Sequence, residues 1–466
     1  MSENSYKKAG TFYFIGNIFN KGISFLTVPV FTRILSTADY GIVTTYNSWI
    51  GILSMIVGFA LHMSVRMAAV DYKDKLDDFM SSIILFVTLT SFGITAVVAG
   101  GIKLLHIDSN IVLVVICILQ AYASATIEDY SNYLMMKYEY KARTALMILP
   151  NFISVILSVY MIKYVLESNL YVGRIIPTAV VTISFGLVTV CLTLKKGKFR
   201  INKEYIKYAM AISAPLILHG IALNILSQSD RIMITSLADA AQTGIYSLIY
   251  NFSMIATVIT TTLEGIWVPW FINKLKMSSR DEINVVAKDY INLMTYAMVA
   301  LILVAPEVVK ILANESYWEG ISIIPPVVLA NYVIFAYSLY VNIEHYYKKT
   351  PYITVNTIIA AASNIVLNFI FIPKYGYVAA AYTTLASYLI SFVLHTRYAK
   401  KLEPNLYPLK RFIYPLIELL VVTILFYMFE ETFAIRWAIM IIYILAMFYK
   451  ERNRLKVYFP NMPFWK

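Results

Sequence analysis

The sequence predicts an all-α integral membrane protein with about fourteen transmembrane helices, arranged as two parallel six-helix repeats and a C-terminal helix pair. Composition is the first observation behind this prediction: 59% of the residues are hydrophobic and 14% are charged, whereas about 25% are charged in a soluble domain. The second observation is the recurrence of long apolar segments, and the third is the distribution of basic residues between them. A single soluble core stops growing near about 250–300 residues, so we expect a chain this apolar to lie in a bilayer.

Long apolar segments recur along the whole chain. A membrane-spanning helix needs about 20 mostly apolar residues to cross about 30 Å of hydrocarbon. This criterion predicts fourteen spans, at residues 11–32, 41–64, 80–102, 110–131, 144–165, 174–194, 206–228, 242–265, 288–309, 320–342, 352–372, 377–396, 411–429 and 432–449. No loop between them is long enough to hold a soluble domain, which excludes an enzyme with a catalytic domain outside the membrane.

The loops alternate in basic charge. With the N-terminus inside, the inner segments hold thirty Lys and Arg residues and the outer loops hold eight. Basic residues concentrate on the cytoplasmic side of membrane proteins, and a miscount of one early span would invert the alternation downstream. The pattern therefore predicts fourteen crossings with both termini in the cytoplasm. The net charge of +12 then reflects membrane orientation, and we expect no nucleic-acid partner.

The chain shows signs of an internal repeat. Residues recur at an offset of 203 or 204 in the pairs Gly16/Gly220, Asn20/Asn224, Gly41/Gly244 and Gly173/Gly376. An offset of six helices preserves orientation, so the halves are predicted to be parallel repeats. We expect an N-lobe at 1–200, a C-lobe at 201–400, and a final segment at 401–466. Two such lobes imply transport through a site between them, and chance recurrence of Gly and Asn is the alternative.

Four stretches resemble a known family. They are Gly16-Asn17-x-x-Asn20-Lys21 with Pro29-x-x-Thr32-Arg33-x-Leu35-Ser36-x-x-Asp39-Tyr40-Gly41, Ser64-Val65-Arg66, Ser229-Asp230-Arg231-Ile232-Met233-Ile234, and Asn364-x-x-x-Asn368 with Pro373-Lys374-Tyr375-Gly376 and Ala379-Ala380-Ala381. They extend over nearly the whole chain and resemble the polysaccharide-exporter (Wzx-type flippase) branch of the multidrug/oligosaccharidyl-lipid/polysaccharide exporter superfamily. The first stretch is the most specific to that branch.

The resemblance implies MATE-like lobes and a multi-pass protein of the bacterial cytoplasmic membrane. It implies that undecaprenyl-diphosphate-linked oligosaccharide is flipped to the outer leaflet for capsule, O-antigen or exopolysaccharide synthesis. The implied partners are that lipid, membrane lipids, and a polysaccharide polymerase with chain-length proteins. The sequence has no P-loop and no His/Cys/carboxylate cluster with metal spacing, so we expect no enzyme, no cofactor, no metal and no catalytic residue.

A lipid diphosphate with a sugar headgroup requires cations for phosphate and polar or aromatic side chains for sugar. Charges deep in a membrane are costly and usually face a cavity. Lys21 lies about 15 Å into span 1, which predicts a diphosphate ligand; a structural pair with a neighbouring acid is the alternative. The other substrate-binding candidates are Arg66, Arg33, Arg231, Asn20, Asn224, Tyr46 and Tyr250. For these residues the alternatives are interfacial anchors, helix caps and hydrogen bonds between helices.

Several acidic residues and one histidine suggest gating and coupling. Asp39 and Asp230 are the expected local partners of Arg33 and Arg231, and a gate between the lobes is possible there. The candidates for proton uptake in a coupled cycle are Glu128, Asp129, Glu264 and His219. Solvated or paired acids and a hydrogen-bonded helix histidine are the alternatives.

Two rival functions remain open. The first is a cation-coupled multidrug exporter of the same superfamily, although spans 1 and 2 lack the acid that many such exporters carry. The second is a membrane-embedded polysaccharide polymerase or lipid-sugar transferase, which typically needs a large outer loop. The function that the sequence favours is flipping by alternating access between the two lobes.

Overall fold

The computed structural model describes residues 19, 22, 23, 25–106 and 110–458. This part of the chain is helical and holds no strand. Its helices are α1 Phe25–Ile34, α2 Thr37–Val57, α3 His62–Asp71, α4 Leu76–Leu104, α5 Ile111–Met136, α6 Tyr140–Tyr164, α7 Val172–Lys196, α8 Lys203–Leu237, α9 Ala240–Lys276, α10 Arg280–Leu312, α11 Ile324–Tyr346, α12 Thr350–Leu402, α13 Lys410–Met428 and α14 Phe433–Tyr458. Short 3-10 helices occupy Lys73–Lys75 and Glu315–Ile323.

The helices account for the predicted spans. Within the described residues eleven helices are long and apolar enough to cross a membrane, with α2 and α3 counted as one, and α8 adds a twelfth that bends by 48°. Helix α12 has 53 residues, or about 80 Å at 1.5 Å per residue, which is far more than one crossing requires. Gly376, at φ 59° and ψ −144°, breaks it into two helices. Predicted spans 2–14 therefore each have a helix, and span 1 is described only in part, by α1.

By its contacts the chain divides into two compact units. Unit 1 comprises Met1–Leu248 and Lys349–Ser391. Its apolar core forms where α3, α4 and α5 meet, around the fully buried Val65, Phe79 and Ile83 with Tyr133. The predicted division at residues 200 and 400 concerns repeats rather than contacts, and it stays a prediction.

Unit 2 comprises Ile249–Lys348 and Phe392–Lys466. Helix α11 is its most buried helix, with 16 of its 23 residues buried. Glu403 follows the last residue of α12 and accepts three hydrogen bonds. Arg280 donates two of them, at 2.7 and 2.8 Å, and Tyr347 donates the third at 2.6 Å. These bonds tie the start of α10 to the ends of α11 and α12.

Helices α2 and α9 approach closely at two glycines. A Cβ built on Gly41 would lie 1.7 Å from the carbonyl oxygen of Ala240, and one built on Gly244 would lie 2.1 Å from that of Thr37. A side chain at either position would therefore separate the two backbones. Each glycine contacts the helix that carries its own counterpart at the 203-residue offset.

Polar side chains repeat this reciprocal contact one turn further along. Ser247 Oγ donates to Thr44 Oγ1 at 3.0 Å, and these residues are also 203 positions apart. Pairs of equivalent residues meet in this way at a two-fold axis. The contact supports the predicted parallel repeat.

The same two helices begin with matching N-cap side chains. Ser36 Oγ accepts from the backbone N–H of Asp39 at 3.0 Å and donates to Asp39 Oδ2 at 2.6 Å. At the 203-residue offset, Asp239 Oδ1 accepts from the N–H of Gln242 at 2.8 Å, and Gln242 Nε2 donates to Asp239 Oδ2 at 2.9 Å. These bonds satisfy N–H groups that a helix start leaves without intrahelical partners.

Candidate functional site

Two of the expected substrate ligands, Lys21 and Asn20, lie outside the described residues. Their roles therefore stay predictions. The other candidates fall on helices α1, α2, α3, α5, α8 and α9.

Arg66 lies on α3 and is exposed. Its Nε donates a 2.7 Å hydrogen bond to Oδ1 of the buried Asn132 on α5. The Asn132 amide nitrogen donates in turn to the Glu128 carbonyl oxygen and to Glu128 Oε1, both at 2.9 Å. Asn132 therefore fixes the plane of the guanidinium through Nε. Within the part of the chain that the structure describes, the two Nη groups of Arg66 have no hydrogen-bond partner, so they are available to a ligand.

Two acids of α5 differ in environment although they are neighbours in sequence. Glu128 is exposed beside Arg66, where its carboxylate accepts from Asn132. Asp129 is 2% exposed, and its Oδ2 has no hydrogen-bond partner among the described residues. A buried carboxylate with an unsatisfied oxygen is costly, so Asp129 stays a candidate for proton uptake.

Arg231 and Asp230 are adjacent on α8 and have different partners. Arg231 is buried, and its Nη1 donates to the Ser227 carbonyl oxygen and to Gln228 Oε1, each at 3.0 Å. Asp230 is fully buried and accepts hydrogen bonds from neutral side chains of other segments, described next. The expected local pairing of Asp230 with an arginine is therefore wrong, because the carboxylate is directed into the helix packing of unit 1.

Asp230 lies at the centre of a buried polar cluster. It accepts from Tyr246 Oη, Asn368 Nδ2 and Thr384 Oγ1, each at 2.7 Å. Asn368 also donates to Asn364 Oδ1 at 3.1 Å, which places both asparagines on one face of α12, as their i,i+4 spacing requires. We call these five residues the Asp230 cluster. It joins α8 and α9 to both halves of α12.

Arg33 and Asp39 lie on either side of the junction between α1 and α2. Arg33 is exposed in the last turn of α1. Asp39 is hydrogen-bonded to the N-cap residue Ser36, and its Oδ1 also accepts from the backbone N–H of Tyr171 at 3.3 Å. The structure thus gives Asp39 a capping role at the start of α2, and a role in a gate stays a prediction.

The remaining polar and aromatic candidates are half-buried. Tyr46 Oη donates to Gln120 Oε1 at 3.0 Å, and Asn224 Nδ2 donates to the Gly220 carbonyl oxygen at 3.0 Å. Tyr250 and Glu264, both on α9, and His219, on α8, are also half-buried. Tyr250 and Glu264 both lie within electrostatic range of Tyr337 on α11.

Comparison with known proteins decides the family. The model of the polysaccharide biosynthesis protein family matches residues 7–273, more than half of the 466 residues. The chain belongs to this family. The assignment made from sequence motifs is confirmed.

One relative of this polysaccharide biosynthesis protein is a probable low-salt glycan biosynthesis flippase, Agl15, of Haloferax volcanii. The two are 24% identical over 399 residues, which covers 83% of this chain and 81% of the relative. The solved structure of the lipid II flippase MurJ in an inward closed conformation matches with a TM-score of 0.67 at 16% identity, over 96% of this chain and 99% of that chain. An inward-facing multidrug resistance MATE family transporter matches with a TM-score of 0.58 at 12% identity, over 82% and 96%. The predicted MATE-like fold is confirmed.

Sequence reasoning missed a buried ion pair of this family member. His395 Nδ1 lies 2.9 Å from Glu344 Oε2, and the two side chains are 1% and 0% exposed. The predicted span 10 ends at 342, so Glu344 fell in a loop, whereas α11 continues to Tyr346. The partners are 51 residues apart, and no local pattern reveals such a pair. The sequence offered one signal: a glutamate and a histidine each lie near the predicted cytoplasmic end of a span, Glu344 at span 10 and His395 at span 12.

Proposed function

We propose that this protein is a flippase of lipid-linked glycan precursors that moves undecaprenyl-diphosphate-linked oligosaccharide across the bacterial cytoplasmic membrane by alternating access. Membership of the polysaccharide biosynthesis family supports this proposal, as do a relative and a structural neighbour that are both described as flippases. The relatives are described as flippases, which supports a function in which the protein carries its substrate without reacting with it.

The oriented guanidinium of Arg66 carries the proposal. Its Nε is held by Asn132, and its Nη groups are available at the predicted inner end of span 2. A planar guanidinium binds phosphate oxygens through paired N–H groups. We propose that Arg66 receives the diphosphate from the cytoplasmic leaflet, with Lys21 as a second cation deeper in span 1.

The other candidates take supporting roles in the proposal. The exposed Arg33 lines the outward exit. Arg231 is occupied by Ser227 and Gln228, so we assign it a positioning role in α8 rather than direct phosphate contact. The proposed sugar contacts are Asn20, Asn224, Tyr46 and Tyr250.

We further propose that both termini face the cytoplasm and that the product passes to a polymerase with its chain-length proteins on the outer side. The thirty inner basic residues against eight outer ones support this orientation. Labelling of single cysteines placed at each terminus with a membrane-impermeant reagent tests it, and labelling of intact cells would contradict it.

Reconstituted full-length protein tests the flippase function. The probe is undecaprenyl diphosphate carrying N-acetylglucosamine in proteoliposomes, and the measurement is its accessibility to an external sugar-modifying enzyme over time. We expect Arg66→Ala to slow flipping at least tenfold, and Arg66→Lys to recover only part of the rate because it lacks the paired N–H groups. Arg200→Ala removes an exposed inner arginine outside the site and serves as the matched control.

The outcomes separate this function from its rival. A wild-type rate equal to that of empty liposomes would reject flipping of this substrate class. Equal rates for wild type and Arg66→Ala would reject Arg66 as a phosphate ligand. The fold is also that of multidrug transporters, so cells that express the protein should be assayed for resistance to cationic drugs; we expect no change.

A further inference from the structure

Unit 2 contains an acid and a base buried together within the membrane-spanning helices. His395, on the second half of α12, contacts Glu344, near the end of α11, at 2.9 Å, and neither side chain is more than 1% exposed. The second carboxylate oxygen, Glu344 Oε1, is buried and has no hydrogen-bond partner among the described residues. A structural ion pair would be expected to have its remaining oxygens satisfied.

Titratable groups surround the pair. The Tyr337 ring stacks on the His395 ring with centroids 5.5 Å apart, and His345, beside Glu344 on α11, is within electrostatic range of both partners. Glu264 and Tyr250 of α9 are in turn within electrostatic range of Tyr337. Tyr337 therefore lies between the pair and two residues that the sequence singles out, Glu264 for coupling and Tyr250 for substrate.

Burial favours one protonation state of the pair. With no added proton, a neutral histidine and a carboxylate carry a net charge of −1. With one proton the pair is neutral overall, whichever partner holds it, and with two protons its net charge is +1. Taking an uncompensated charge out of water is costly, and the pair with one proton is the state that carries no net charge. It can release that proton only when the site opens to water. Protonation belongs to the pair rather than to either residue.

Resting on the flippase function proposed above, we propose that the His395–Glu344 pair is the proton-binding site that couples transport to the proton gradient. The pair takes up one proton when the site is open to the outside, carries it in the neutral closed state, and releases it to the cytoplasm. Glu344 lies two positions before the end of α11 at Tyr346, at the predicted inner end of span 10. No bond other than those to the proton forms or breaks.

Other buried acids are less suited to this role. All the hydrogen bonds of Asp230 come from neutral donors that hold it in one packing arrangement. Asp129 has an open oxygen but no basic partner among the described residues to stabilise its charged form. Only at His395 and Glu344, within the part of the chain that the structure describes, do a base, an acid and an open acceptor coincide in full burial.

The first experiment measures coupling in proteoliposomes containing the full chain. The probe is again undecaprenyl diphosphate carrying N-acetylglucosamine, and its ratio between the leaflets is measured at steady state with and without an imposed pH difference. One proton per substrate predicts about a tenfold ratio for each pH unit, since one unit corresponds to about 1.36 kcal/mol. In Glu344→Gln and His395→Asn we expect the pH difference to cause no accumulation, so the ratio of the probe between the leaflets should be one. Without a pH difference, both variants should still equilibrate the probe between the leaflets. Glu418→Gln, which alters a half-buried acid of the same unit bonded to Tyr443, should accumulate the probe as wild type does.

The second experiment does not depend on transport. Infrared difference spectra of the purified protein, recorded across a pH titration, should show protonation of the pair as a change in carboxyl or imidazole bands. This change should be altered in both Glu344→Gln and His395→Asn. Absence of the change, or the same change in both variants as in wild type, would overturn the proposal, whether or not the protein flips the probe. If the wild-type protein flips the probe without any response to the pH difference, the proton site is rejected and the flippase function stands. The same conclusion follows if Glu344→Gln accumulates the probe as strongly as the wild type. Failure of wild type to flip the probe would reject the flippase function, and the infrared titration would then decide the proton site alone.

Discussion

Replacement of Asp230 tests how strongly its cluster holds unit 1 together. The fully buried carboxylate accepts 2.7 Å hydrogen bonds from Tyr246, Asn368 and Thr384. Asp230→Ala removes the acceptor from all three donors. Thr384 can turn its hydroxyl to a carbonyl of the preceding turn, which leaves the Tyr246 hydroxyl and one N–H of the Asn368 amide without the acceptor that Asp230 provides. At about 1–3 kcal/mol for each buried donor left without a partner, the free energy of unfolding should fall by about 2–6 kcal/mol.

Asp230→Asn is the matched control. Asparagine has the same shape, keeps one oxygen to accept from Asn368, and offers its amide to the two hydroxyls, each of which can accept a hydrogen bond. We therefore expect it to cost less than about 1.5 kcal/mol. Thermal unfolding of the purified proteins in detergent should rank wild type first, Asp230→Asn next and Asp230→Ala well below both. Equal melting temperatures for Asp230→Ala and wild type would refute the reasoning, as would a larger loss for asparagine than for alanine.

Three further predictions concern the backbone and an ion pair. Gly41→Leu should prevent folding or lower the melting temperature sharply because a Cβ there would lie 1.7 Å from a carbonyl oxygen, whereas Gly93→Leu meets no atom within 4 Å of the Cβ position and should be tolerated. Gly376→Ala should destabilise the protein by about 1–3 kcal/mol, measured by thermal unfolding, because φ is +59°; an unchanged melting temperature would contradict this. The hydrogen bonds of Arg280 hold the pKa of Glu403 below its usual range. The pair therefore stabilises the protein above the usual glutamate pKa of about 4.3, and this stability is lost as the pH falls through the lowered value. The difference in melting temperature between wild type and Glu403→Gln should accordingly be smaller at about pH 3 than at about pH 7; an equal difference at both would refute the assignment.

The sequence was sufficient to predict the spans because the bilayer imposes a length and a composition on every crossing helix. The breaks inside spans were harder to predict. Hydropathy does not distinguish a straight span from the interrupted α2–α3, where Phe59 and Ala60 have φ of 50° and 47°. Gly376 was singled out from the repeat, although its role as the break between two helices was not.

The candidate site was only partly predictable for a related reason. Arg66 and Asp230 were named from motifs, but the residues that orient them lie on other helices, 66 positions away for Asn132 and 138 for Asn368. One sequence carries no information on such pairings. The buried His395–Glu344 pair was missed for the same reason, because each residue alone looks like an ordinary span end.

The contact between α2 and α9 has an evolutionary consequence. Gly41 and Gly244 each leave room for the other helix, and the N-caps at Ser36 and Asp239 accept from backbone N–H groups in the same way. If the halves descend from one duplicated six-helix ancestor, that ancestor formed a homodimer with this crossing on its symmetry axis. The two glycines were then a single position in a single gene, and one mutation there altered both sides of the interface. Fusion into one chain freed the copies to diverge elsewhere, so that one half could gain Lys21 while the other kept Ile225 in its place.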